Sequence, residues 1–90
     1  MVTVKFYANL RVITNKKEEE VVGVDEIGPL LEYLVGKYGS EFREMIYKGS
    51  TLYDNVIILV NGKNINYLSG LKTKLNEGEE VNIFPPVAGG

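Results

Sequence analysis

The sequence predicts a single two-layer α+β domain, with one main helix laid on one sheet. Three patterns carry this reading. Alternating apolar positions mark strands near both ends of the chain, three- and four-residue apolar spacing marks one helix between them, and a β-branched run closed by Asn61-Gly62 marks a hairpin. Ninety residues leave no length for a second core, and surface scaling has a chain of this size burying roughly 64% of its unfolded surface.

Val2, Val4, Phe6 and Ala8 alternate with Thr3, Lys5, Tyr7 and Asn9, the period of a half-buried strand over 2–9 that turns Tyr7 away from the core. After the polar break Asn15-Lys16-Lys17, Glu18 to Val24 reads as a second strand, with Glu20, Val22 and Val24 on one face and Glu19 and Val21 on the other. Pro29 suits a first helical position, where its missing N–H costs nothing. Leu30, Leu31, Leu34, Val35 and Tyr38 then recur at helical spacing, so a helix is predicted over 29–38, closed by Gly39. Ser40 caps a short second helical piece whose Phe42, Met45 and Ile46 gather on one side before Gly49.

Val56-Ile57-Ile58-Leu59-Val60 reads as a strand buried on both faces that turns back at Asn61-Gly62 toward Ile65. Leu68, Leu71 and Leu75 pack a connecting segment onto the core, and Asn76-Glu77-Gly78-Glu79 makes a turn. Val81-Asn82-Ile83-Phe84 is a last strand with Phe84 facing outward, as Tyr7 does, and Pro85-Pro86 ends any pairing and stiffens the start of the tail. The chain therefore divides into a body over 1–84 and an extended tail over 85–90, without internal repeat or interdomain linker.

Ten Lys plus Arg against twelve Asp plus Glu give a net charge of −2, too little basic excess for nucleic acid or an anionic membrane to be a direct partner. No Cys and no His remove the thiolate nucleophile, the imidazole base and the usual zinc ligands, so no metal site is expected. No apolar stretch is long enough to span a bilayer and no signal-peptide pattern opens the chain, which points to a cytoplasmic protein. Glu18-Glu19-Glu20 reads as a solvated charge run, and Lys72 and Lys74 either steer an acidic partner or keep the surface solvated. Asn61-Gly62 and Glu77-Gly78 are turns, and no phosphate-cradling loop accompanies them.

The tail holds the chemistry. Gly89-Gly90 carries no side chains, so a slim strip ending in a carboxylate can enter a channel closed to anything wider. A frayed terminus is the bland alternative, yet a frayed end requires no stiff Pro-Pro spacer.

Asn82-Ile83-Phe84-Pro85-Pro86-Val87-Ala88-Gly89-Gly90 resembles the Phe-Pro-Pro-Val-x-Gly-Gly ending of the MoaD family, the sulfur-carrying small subunits of molybdopterin synthase. Val4-Lys5-Phe6-Tyr7-Ala8, Val60-Asn61-Gly62 and Glu77-Gly78-Glu79-Glu80-Val81 extend the likeness over the chain, whereas 39–55 looks longer than in compact members. The resemblance implies a ubiquitin-like β-grasp fold, a mixed sheet around the helix. It implies that a MoeB-like, ubiquitin-activating-type adenylyltransferase spends ATP on the Gly90 carboxylate and that a sulfur donor converts it to a thiocarboxylate. The tail of Pro85, Pro86, Val87, Ala88 and Gly89 would then thread into a MoaE-like large subunit, delivering sulfur to a pterin precursor that later holds molybdenum or tungsten. On that reading the chain is a carried substrate with no bound cofactor and no catalysis of its own. Tyr7, Phe84 and Ile65 would form the partner-facing patch beside the tail. Related β-grasp carriers act as protein modifiers or serve thiamine synthesis and tRNA thiolation, and a plain interaction domain with an idle tail is the remaining alternative.

Overall fold

The computed structural model describes residues 1–86. Val2, Val4 and Phe6 face inward from β1 (Val2–Phe6), and Val81 and Ile83 do so from β7 (Glu80–Phe84). These strands lie side by side in parallel, Val4 against Val81 and Phe6 against Ile83. Antiparallel β2 (Glu18–Val21) flanks β1, and antiparallel β5 (Ile57–Val60) flanks β7. With β6 (Lys63–Asn64) at the far edge, the sheet order is β2-β1-β7-β5-β6. A parallel central pair needs a long crossover, and the crossover here carries α2 (Ile27–Tyr38). This mixed sheet grasping one main helix is the β-grasp fold.

The core forms where Leu30, Leu31 and Leu34 of α2 meet Val4, Phe6, Ile58, Val81 and Ile83 of the sheet. The segment 39–55 folds as α3 (Ser40–Ile46) and a small hairpin of β3 (Tyr47–Lys48) and β4 (Thr51–Leu52). Phe42 of α3 meets Phe6 edge-on, with ring centroids 6.2 Å apart, so this segment completes the core. Gly39 joins the two helices at φ 86°, a left-handed value that glycine takes without strain, and its N–H closes α2 on the Val35 carbonyl. No helix among the described residues is long and apolar enough to cross a membrane.

Several expectations need correction. The first strand stops at Phe6, and Asn9–Thr14 forms a short helix, α1, that buries Leu10 and Thr14. The second strand stops at Val21 and turns Glu19 and Val21 inward, leaving Val22 exposed. Glu19 is therefore a buried carboxylate and no part of a solvated run. α2 begins at Ile27, with Pro29 its third residue. Ser40 is the first residue of α3 and makes no side-chain cap. β5 is buried on one face only: Ile58 and Val60 point inward while Ile57 is 44% exposed, because one helical layer covers one side of the sheet. Of the three connecting leucines, Leu75 is buried while Leu68 and Leu71 are exposed; the segment runs as two 3₁₀ turns, Ile65–Tyr67 and Gly70–Lys72, too short to carry a continuous apolar stripe.

Candidate partner-docking face and tail anchor

β7 is hydrogen-bonded on both sides, and it hands the chain to Pro85, which is buried, and to half-buried Pro86. A segment leaving such a strand starts from one of the stiffest points of a small domain. Val87, Ala88, Gly89 and Gly90, which carry the predicted threading and activation roles, lie outside the described residues.

Phe84 and Tyr7 stack at the exit point, with ring centroids 4.2 Å apart and planes 14° from parallel. The pairing follows from register: Phe6 partners Ile83 in the parallel ladder, so the residues next along each chain come out together on the outer face. The Tyr7 hydroxyl donates to Asn82 Oδ1 at 3.2 Å. Phe84 also lies opposite Ile57, and Asn82 opposite half-buried Leu59, on β5. Tyr7, Phe84, Ile57 and Leu59 thus make a half-exposed apolar strip across the uncovered side of the sheet, a composition that favours a protein partner over bulk water.

Ile65 does not belong to this strip. It is 3% exposed within the core, because the 3₁₀ turn that follows β6 folds it under the sheet. The sequence reading missed Ile57 and Leu59, whose place in an unbroken apolar run looked like full burial. It also missed Arg11 of α1, whose Nε donates to the Phe6 carbonyl at 2.8 Å and whose guanidinium sits 5.1 Å from the Tyr7 ring centre. No local signal distinguishes that arginine; only the fold brings it there.

A polar cluster lies on the helix side of the sheet, between β2 and the last turn of α2. Glu19 accepts hydrogen bonds from Tyr38 Oη and from Lys37 Nζ, the latter at 2.6 Å, while Lys16 Nζ stands 3.5 Å away. Burial acts to raise the Glu19 carboxyl, but the bonds from Lys37 and Tyr38 and the charge of Lys16 outweigh it and hold the group below its ordinary range. Burial, and then the bond to Glu19, push the Tyr38 hydroxyl up. The cluster ties an edge strand to the helix. Lys74, one of two lysines read as steering charges, faces Glu26 at 3.4 Å, while Lys72 is exposed.

Residues 4–90 match the ThiS family. Small archaeal modifier protein 3 of Haloferax volcanii is 32% identical over 88 residues, covering 96% of this chain and 95% of its own. The molybdopterin synthase sulfur carrier subunit of Drosophila melanogaster is 33% identical over 91 residues, covering 99% of this chain and 90% of its own. The solution structure of small archaeal modifier protein 1 from Methanosarcina acetivorans has a TM-score of 0.84 at 36% identity, over 99% of this chain and 95% of that one. A family match over nearly the whole chain, on a β-grasp body whose central strand leads into a Gly-Gly tail, makes this protein a member of the ThiS family of ubiquitin-like sulfur carriers.

Proposed function

We propose that this chain is the sulfur-carrier small subunit of a molybdopterin synthase, charged at Gly90 and docked through the face around Tyr7 and Phe84. The observation that carries the reading is the placement of β7: the strand that leads to the tail is the central one, and it ends beside a half-exposed aromatic stack. A rigid body, a docking face and a tail that start from one point are what a carrier needs when it must present one atom inside another protein.

Activation begins when a Gly90 carboxylate oxygen attacks the α-phosphorus of ATP held by a MoeB-like adenylyltransferase, and pyrophosphate leaves. The resulting acyl-adenylate makes AMP the leaving group, so sulfide from a donor adds to the carbonyl carbon and AMP departs, leaving a thiocarboxylate. Inside a MoaE-like large subunit this sulfur passes to a pterin precursor, and hydrolysis restores the carboxylate. Catalytic groups belong to the partners, which agrees with a chain that has neither Cys nor His.

A second reading, a modifier joined through Gly90 to lysines of other proteins, is favoured by the small archaeal modifier proteins among the relatives. Intact mass spectrometry after incubation with ATP, the adenylyltransferase of the same source and a sulfur donor tests the shared first half. Exchange of one oxygen for sulfur is expected, and it disappears when Gly90 is deleted. Transfer of that sulfur to a pterin precursor by the large subunit supports the synthase reading; isopeptide links to lysines, with no such transfer, support the modifier. Sulfur transfer that survives loss of Gly90 sinks both.

A further inference from the structure

Where β7 ends, one cation is built in with its charge unspent. Four of the eight lysines are paired: Lys5 to Glu80 at 3.2 Å, Lys37 and Lys16 to Glu19, Lys74 to Glu26. Arg11 is exposed and uses only Nε, on the Phe6 carbonyl, while its guanidinium lies over the Tyr7 ring. Among the described residues no carboxylate pairs with it, and Nη1 and Nη2 make no hydrogen bond.

We propose that Arg11 recognises a carboxylate of the activating enzyme at the mouth of the channel that admits the tail. The proposal rests on the sulfur-carrier reading. Its basis is geometric. The bond to the Phe6 carbonyl and the ring beneath fix the guanidinium plane before any partner arrives, so little side-chain entropy remains to be lost on binding. The two terminal nitrogens left over form the planar pair that matches a carboxylate in bidentate fashion. Tyr7 and Phe84 exclude water beside it once docked, which strengthens an ion pair at that spot relative to one in open solvent.

The reacting group itself is an unsuitable ligand for Arg11. Gly90 is six residue steps beyond Phe84, about 20 Å when extended in a channel. With the tail inserted, Arg11 stays at the rim, far from the terminal carboxylate and from the phosphates of ATP. It contributes to docking and leaves the chemical step alone, so its signature is in KM and not in kcat. On a chain of net charge −2, a lone oriented cation beside the tail also selects the docking orientation.

The test is ATP–pyrophosphate exchange by the adenylyltransferase of the same source, with the full chain as varied substrate, at several salt concentrations. Arg11→Ala is expected to raise KM about tenfold with kcat within twofold, and to flatten the dependence of KM on salt. Arg11→Glu raises KM further, and Arg11→Lys recovers part of the loss, because it restores charge without the fork. Arg11→Met keeps a long side chain without the charge; a wild-type melting curve together with the KM of Arg11→Ala separates charge from folding. An unchanged KM and salt slope in Arg11→Ala overturns the inference, as does a fall in kcat at constant KM. No exchange with the unaltered chain overturns the carrier reading itself and takes this inference with it.

Discussion

Tyr38 on the last turn of α2 donates its hydroxyl to Glu19 Oε1 on the edge strand β2, while the adjacent Lys37 holds Oε2 at 2.6 Å. Folding lowers the proton affinity of this carboxyl below its ordinary value of 4.5. Its stabilising contribution is therefore complete above that pH and is lost as pH falls through the folded-state value. Urea unfolding of the wild type should show falling stability on acidification below about pH 4.5. Glu19→Gln should flatten that decline and lower stability at neutral pH by about 1–3 kcal/mol, since Tyr38 and Lys37 lose a charged acceptor.

Phe84→Ala and Ile65→Ala should behave in opposite ways. Phe84 is half-buried and stacked on Tyr7. Its truncation should cost about 1 kcal/mol of stability and weaken binding to the adenylyltransferase or the large subunit by tenfold or more, measured by calorimetry. Ile65 is buried in the core. Its truncation should cost about 2–5 kcal/mol and leave the affinity of the folded fraction unchanged.

Gly36 and Gly39, close neighbours in sequence, should respond to alanine with opposite sign. Gly36 lies in the interior of α2 with nothing within 4 Å of a Cβ added there, so Gly36→Ala should raise stability by about 0.5–1 kcal/mol. Gly39 sits at φ 86°, where a Cβ is strained, so Gly39→Ala should lower it by about 1 kcal/mol or more. Thermal unfolding of the two variants side by side checks both.

Ile83→Ala should cost about 2–5 kcal/mol, because Ile83 is fully buried on the central strand between β1 and β5. Against a total of about 5–15 kcal/mol for a domain of ordinary stability, that loss shifts the midpoint of denaturant unfolding severely.

Where one pattern decides the outcome, the fold is legible in the residues. α2 and β7 each show a clean period, of three to four and of two, and form close to their predicted bounds, whereas β1 starts where predicted and stops three residues early at Phe6. α1 was not legible: Val12, Ile13 and Thr14 are β-branched and poor helix formers, and the turn exists because Leu10 is buried and the Thr14 hydroxyl bonds back to the Leu10 carbonyl. Ile57 misled for a related reason, since an apolar run says nothing about how many layers will cover it. Glu19 looked solvated because its partners, Lys37 and Tyr38, come from a helix on the other side of a loop. At the candidate site Tyr7 and Phe84 could be placed from alternation alone. Arg11 and Ile65 owe their positions to a short helix and a 3₁₀ turn with no signature of their own.

The central position of β7 has a consequence for synthesis on the ribosome. β1 is made before its parallel neighbour, which comes from residues 80–84, so the sheet cannot close until those residues have emerged. A product of premature termination before Glu80 lacks the strand that joins β1 to β5 and has no way to build the core. Any partner that recognises the folded body therefore meets only molecules whose translation has run through the last strand.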